Sequence, residues 1–100
     1  RALRDRGLPV EAQVEEGPYR IDLAIRRVRI AIECDGHASH ASCEQREHDA
    51  ARDRFLSSRD WLVLRFTGTE IHRDVERCVA DVMAVLKRIV PRNGQSASTP

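Results

Sequence analysis

Three strand-like segments follow one another near the start of the chain, with links too short to let them run in parallel. "YRIDLAI", Tyr19 to Ile25, alternates apolar and polar residues, so one face would carry Tyr19, Ile21, Leu23 and Ile25. "VEAQVEE" precedes it across the turn signal Gly17-Pro18, and "VRIAIEC" follows it across the basic turn "RRVR". Because a parallel connection needs a crossover of about a dozen residues, these segments predict a three-stranded antiparallel meander.

Helical periodicity lies on both sides of this meander. Residues 1–8 have the character of a helix end, stopped by Gly7 and Pro9. Apolar residues recur at helical spacing from Ala41 to Arg59, and the apolar run "WLVLRF" at 61–66 then predicts a strand inside the sheet. Thr67 and Thr69 can cap a last helix that ends at Pro91 and has one apolar face, made of Ile71, Val75, Cys78, Val79, Val82, Leu86 and Ile89.

The predicted order is α-β-β-β-α-β-α, an α/β (α+β) fold. The fourth strand returns in parallel after a helix, which gives a mixed sheet flanked by helices. A chain of 100 residues builds one core, so we expect a single domain over residues 1–90 and a disordered tail over 91–100. Because the chain begins with Arg1 and not with Met, we expect it to be part of a longer protein with a fused upstream domain.

The composition favours a cytoplasmic protein. An odd number of cysteines, three, occurs without a signal peptide or an apolar run of about 18 residues, which predicts a reducing setting and no membrane partner. The formal net charge of +1 excludes the strongly basic class of nucleic-acid binders, although a basic patch on one face remains open. The chain has sixteen arginines and one lysine, Lys87. Genomic composition and phosphate recognition are two alternative explanations for the arginines. In either case, almost no lysine is available for catalysis.

The stretch "IAIECDGHASH" ends a core strand in acids and imidazoles. Side chains alternate across a strand, so Glu33 and Asp35 point to the same face. If the hairpin register allows, Asp22 of the neighbouring strand joins them. Three converging carboxylates repel one another unless a cation neutralises them, and Mg²⁺ prefers such oxygen ligands. The alternative is a set of separate, solvated acids at strand ends.

A zinc site is a second interpretation of the same stretch. Cys34, His37, His40 and Cys43 recur at every third position, and all four are zinc ligand types. The pattern is weak, because zinc ligands usually come as two separated pairs and Cys34 faces away from Glu33. The helix that follows is rich in charge, and one of its acids could orient a loop imidazole for general-base catalysis.

The joint pattern of "YRIDLAI", "IAIECDGHASH" and "HDAARDRFLSSRDWLVLRF" resembles the PD-(D/E)xK nuclease superfamily. Within it, the chain looks like the very-short-patch-repair (Vsr) endonuclease-like branch of small bacterial domains. The resemblance covers roughly residues 7 to 75. It implies a restriction-endonuclease-like α-β-β-β-α-β core, hydrolysis of DNA phosphodiester bonds, a connection to DNA repair, and Mg²⁺ as the cofactor, with Mn²⁺ as a substitute.

Carried over by position, the resemblance implies the following metal site. Asp22 matches the first metal-binding aspartate, Glu33 matches the second acid, and the backbone carbonyl of Cys34 is a further ligand. Asp35 stands where most of the superfamily has a lysine and Vsr enzymes have a histidine, which is a departure from both. As an additional catalytic residue, Asp35 would hold a second ion.

The resemblance also implies a general base and phosphate contacts. His40 matches a Vsr histidine and Asp49 the helix aspartate that accompanies it, whereas His37 has no counterpart. Contacts to DNA phosphates are expected from three arginines, Arg52, Arg54 and Arg65. No residue of "RALRDRGLP" fills the place of the Vsr glutamate on the first helix.

Two other functions stay open at this point. Asp35 in the lysine position and the missing glutamate are compatible with a catalytically inactive nucleic-acid-binding module on the same fold. The third is a zinc-stabilised structural domain. The sequence specifies neither the DNA structure that is recognised nor an oligomeric state.

Overall fold

A computed structural model describes residues 2–35 and 42–98 of the chain. The helices and strands follow the predicted order, with one more helix at the end: α1 (Ala2–Asp5), β1 (Glu11–Glu16), β2 (Tyr19–Ile25), β3 (Ile30–Asp35), α2 (Cys43–Ser58), β4 (Leu62–Thr67), α3 (Gly68–Arg73) and α4 (Val75–Ser98). A short 3₁₀ turn, Arg26–Val28, joins β2 to β3. Among the described residues, no helix combines the length and apolarity that crossing a membrane requires.

The four strands form one mixed sheet in the order β1-β2-β3-β4. β1 pairs with β2 and β2 with β3 in antiparallel fashion, while β3 pairs with β4 in parallel. The parallel pair follows from the chain connection, because α2 supplies the crossover between these two strands. The predicted fold class, a mixed sheet flanked by helices, is confirmed.

Each face of the sheet carries its own apolar cluster. The cluster beneath α1 and α4 contains the buried residues Leu3, Val10, Ile25, Ile30, Ile32, Phe66, Cys78, Val79 and Val82. The cluster beneath α2 is smaller and contains Val14, Ile21, Ala24, Ala31, Leu56 and Trp61. Consecutive residues of β3, Ile30 to Ile32, alternate between the two clusters because side chains alternate across a strand.

The predicted alternation of β2 fails at Asp22. Ile21 packs in the α2-side cluster, whereas Leu23 and Ile25 pack on the α4 side, so the four apolar residues do not share a face. The change coincides with Gln13, which lies opposite Asp22 in the β1–β2 register and has a φ of 56°. This left-handed residue interrupts the pleat locally, and it leaves Asp22 at the point where β2 changes faces.

The last helix of the prediction is divided and longer than expected. Thr67 begins α3 in a capping box with Glu70, as the sequence indicated, and α3 ends at Arg73. Asp74 then accepts a hydrogen bond from the Arg77 backbone N–H at 3.1 Å, so an acidic cap starts α4. The helix end predicted at Pro91 is wrong, since α4 continues to Ser98. A proline removes one backbone hydrogen-bond donor from a helix, but it does not always end the helix. The domain boundary at residue 90 and the tail after it stay predictions.

Candidate functional site

Asp22 and Glu33 meet where the β2–β3 ladder stops. The last pair on this side of the ladder is Leu23 with Ile32, so the next opposed positions are Asp22 and Glu33. The Asp22 carboxylate accepts a hydrogen bond from the Cys34 backbone N–H at 2.9 Å. A hydrogen bond from a side chain therefore replaces the backbone pairing between the two strands at this point, and it fixes Asp22 beside the end of β3. The register condition for bringing these two acids together is met.

Glu33 lies beneath α2 with 0% of its surface exposed. Neither of its carboxylate oxygens has a hydrogen-bond donor among the described residues. Burial raises the pKa of Glu33 to about 7, the positive charge of Arg52 opposes this rise, and the negative charge of Asp22 adds to it. A buried carboxylate without donors is costly, and unless a proton or a metal ion binds, the nearby charge of Arg52 is its main compensation.

The helix α2 adds charged side chains from one face. Asp49, Arg52 and Asp53 are spaced i, i+3 and i+4, so they point to the same side, toward β3 and β4. Arg52 Nη2 lies 3.4 Å from Glu33 Oε1 and 3.3 Å from Asp49 Oδ1. Ser42 caps the start of this helix by accepting a hydrogen bond from the Gln45 N–H, which stabilises its first turn.

Five of the described acids lie together at this end of the sheet and are called the acidic cluster: Asp22, Glu33, Asp35, Asp49 and Asp53. Arg65 of β4 is its second cation after Arg52. Its Nη2 donates to Asp53 Oδ1 at 2.8 Å, and its Nη1 lies 3.8 Å from Asp49 Oδ2 and 3.9 Å from Asp35 Oδ2. Burial alone would lower the pKa of Arg65, but the hydrogen bond and charge of Asp53 and the charge of Asp49 raise it, so the guanidinium stays charged. Asp35 thus shares this side of the sheet with Glu33, as alternation predicts.

The three arginines expected to contact DNA lie in two settings. Arg52 and Arg65 are part of the acidic cluster, whereas Arg54 is exposed on α2. The sequence assigns Asp49 as a partner of His40 and assigns no role to Asp53. The signal was present in the spacing of Asp49, Arg52 and Asp53, but it becomes specific only once α2 docks on the sheet.

The Cys34 thiol belongs to the other face of the sheet. It borders an apolar cavity of about 150 Å³ on the α4 side, together with residues such as Ile32, Phe66 and Cys78. Of the four candidate zinc ligands, Cys34 and Cys43 are free thiols, and His37 and His40 lie outside the described residues, as does Gly36. Residues 2–35 and 42–98 contain no group of three His, Cys, Asp or Glu side chains placed to hold a metal ion.

The described residues fit a hard, water-rich ion better than an all-protein cage. Mg²⁺ is typically bound by one or two carboxylates and keeps several waters or substrate phosphates. Glu33 offers two buried oxygens without donors, and Asp22 lies beside it on the adjoining strand. Asp22 and Glu33 are therefore the described carboxylates that could hold such an ion, and the Cys34 carbonyl stays a prediction from the resemblance.

A mixed sheet between helices, with acids where the ladder of its central strands ends, is the architecture of a restriction endonuclease-like domain. The comparison with protein families agrees, because residues 1–86 match the family model REase_MTES_1575. The chain belongs to this restriction endonuclease-like family.

Curated relatives come from two bacteria. An uncharacterized protein of Haemophilus influenzae is 27% identical over 85 residues, which are 85% of this chain and 52% of the relative. A second uncharacterized protein of that organism is 31% identical over 71% of this chain and 58% of its own length. The uncharacterized protein YcjD of Escherichia coli is 31% identical over 75% of this chain and 62% of its own length. The chain thus spans about half to three fifths of the length of these relatives.

Proposed function

We propose that this domain is a Mg²⁺-dependent endodeoxyribonuclease of the Vsr-like kind within the PD-(D/E)xK superfamily. The observation that carries the proposal is the Glu33 carboxylate, which is buried, has no hydrogen-bond donor among the described residues, and lies beside Asp22. A domain that needed Glu33 only for packing would stabilise it with donors or replace it with an apolar residue.

The residues divide the work of phosphodiester hydrolysis as follows. Asp22, Glu33 and the Cys34 carbonyl would hold the ion, which when bound would supply charge for the phosphate oxygens and a water of lowered pKa. His40 accepts the proton of the attacking water, and Asp49 orients its imidazole. Arg52, Arg54 and Arg65 hold DNA phosphates, for which the guanidinium fork is suited.

Cleavage assays on variants test this proposal. Plasmid, nicked, mismatched and branched DNA are incubated with the full-length protein and Mg²⁺ or Mn²⁺. Asp22→Asn and Glu33→Gln should each lower the cleavage rate about 100-fold or more, as expected when an electrostatic group of an active site is lost. Asp81→Asn, at an exposed acid on α4, is the matched control and should keep the wild-type rate.

Cleavage that is unaffected by Asp22→Asn would contradict the proposal, as would intact DNA under every condition. The second candidate is a catalytically inactive nucleic-acid-binding module, and it is favoured by Asp35, an acid paired with Arg65 in the usual lysine position. Salt-dependent DNA binding that needs no metal and survives Asp22→Asn, without cleavage, would support that module instead.

A further inference from the structure

The acidic cluster contains its own cations, and one of them lies against the buried carboxylate. Arg52 is mostly buried, with 19% of its side chain exposed, and its Nη2 is 3.4 Å from Glu33 Oε1. A charge-assisted hydrogen bond between these groups would measure about 2.7–2.9 Å. The guanidinium therefore neutralises Glu33 without donating to it, and both carboxylate oxygens keep their lone pairs for another ligand.

Arg52 and Arg65 are held differently. Arg65 donates to Asp53 at 2.8 Å and lies near Asp49 and Asp35 as well. Arg52 Nη2 donates a long hydrogen bond to Asp49 Oδ1 at 3.3 Å and lies 3.4 Å from Glu33 Oε1. Its buried Nε has no hydrogen-bond partner among the described residues. Arg52 is thus the less firmly bound of the two cations, although it is the one that forms the ion pair with Glu33.

We propose that Arg52 is a built-in competitor of the metal ion: its guanidinium occupies the counter-charge position of Glu33, and a divalent ion binds there by displacing it. This inference rests on the proposed nuclease function. The physical reason is repulsion, because a guanidinium about 3–4 Å from the carboxylate oxygen that an ion needs opposes the ion's charge at short range and in a partly buried setting.

A DNA phosphate is the alternative partner of Arg52. The planar fork of an arginine matches phosphate as well as it matches carboxylate. When DNA draws the guanidinium away from Glu33, the obstacle to the ion is removed, so DNA and metal bind with positive coupling. By linkage, the ion strengthens DNA binding by the same factor. The device keeps the ion weakly bound until the substrate is present.

The test measures Mn²⁺ binding to the metal-stripped protein by calorimetry without DNA. The pH is held well above the Glu33 pKa of about 7, so that Glu33 is deprotonated with or without Arg52. Arg52→Gln should bind Mn²⁺ roughly three- to tenfold more tightly than the wild type, the effect of removing one partly buried like charge. Arg46→Gln removes an exposed arginine from the same helix and controls for net charge; its affinity should equal that of the wild type. With a phosphorothioate duplex that resists hydrolysis, the wild type should gain Mn²⁺ affinity and Arg52→Gln should gain less.

Equal or weaker Mn²⁺ binding by a folded Arg52→Gln protein would overturn the inference. If that variant fails to fold, Arg52→Met provides the same test, because its unbranched chain fills the space of the arginine stem. Mn²⁺ binding that Glu33→Gln abolishes and Arg52→Gln leaves unchanged would refute the competitor role alone. Absence of Mn²⁺ binding in every protein would refute the proposed metal-dependent function together with this inference.

Discussion

Glu33 is the charged side chain that the fold buries completely among the described residues. The sequence placed it in a core strand and on the same face as Asp35, and both assignments follow from alternation alone. Its burial does not follow, because that depends on the docking of α2, whose contacts are long-range. For the same reason the ion pair with Arg52 was invisible in a linear pattern of helix charges.

The raised pKa of Glu33 predicts a pH-dependent stability in the absence of metal. The folded value is about 7 and the ordinary value 4.5, so between these pH values the folded state holds a proton that the unfolded state has lost. The free energy of unfolding should therefore fall as pH rises through this window, by on the order of 1–3 kcal/mol from this group. Glu33→Gln should lack this part of the fall and be the more stable protein at pH 8.

Urea unfolding in EDTA from pH 5 to pH 8 measures the difference between the two proteins. Other titrating groups contribute equally to both, so the wild type minus Glu33→Gln isolates this carboxylate. Glu44→Gln, at an exposed acid near the start of α2, is the control and should follow the wild type at every pH. Parallel stability curves for the wild type and Glu33→Gln would show that Glu33 titrates normally.

At the scale of elements, the β1–β2 hairpin is pinned to α2 by aromatic contacts. The ring of Tyr19 lies 5.2 Å from that of Phe55, and the guanidinium of Arg59 lies 4.8 Å above the same Phe55 ring. Arg59 also pairs with Glu16 at 3.4 Å. Gly17, at the hairpin turn, has a φ of 59°, and a Cβ built there would lie 2.5 Å from Phe55 Cζ.

Gly17→Ala should therefore weaken the docking of α2. The substitution meets both a left-handed backbone and the Phe55 ring, and we expect a loss of about 2–3 kcal/mol. Gly7→Ala is the matched control, because Gly7 has a φ of 76° and nothing within 4 Å of a built Cβ, so only the backbone cost of about 1 kcal/mol applies. Chemical denaturation of both variants gives the two losses, and equal values would mean that Phe55 moves aside freely.

The element order was predictable because each step depends on local rules. Short links require antiparallel neighbours, and an intervening helix permits a parallel return. The two differences from the predicted elements also have local causes, which a hydrophobic pattern does not reveal. The left-handed Gln13 lies where the side chains of β2 switch faces, and the Asp74 cap divides the last helix. Both are backbone events at polar residues, and the first of them adjoins the site.

At the scale of the whole molecule, the two faces of the sheet differ in polarity. The α4 side carries the larger apolar cluster, to which β2, β3 and β4 contribute, while the α2 side is apolar around Leu56 and Trp61 and acidic at the other end. The acidic end joins β2, β3, β4 and α2 through Asp22, Glu33 and Arg65. Ligand binding at this end should consequently raise the free energy of unfolding of the entire domain.

Divalent ions should therefore raise the melting temperature through this one site. At tenfold excess over its dissociation constant, an ion that binds only the folded state adds about 1.4 kcal/mol, or about 5–10 °C for a domain of this size. The gain arises because the ion binds the folded site, where Asp22 and Glu33 lie together, and not the unfolded chain. Asp22→Asn should lose most of the increase, since one of the two carboxylates is gone, whereas Asp81→Asn on the opposite face should retain it. Thermal melts with Mg²⁺ and with EDTA distinguish the cases, and an equal increase in both variants would assign the stabilisation to general screening of surface charge.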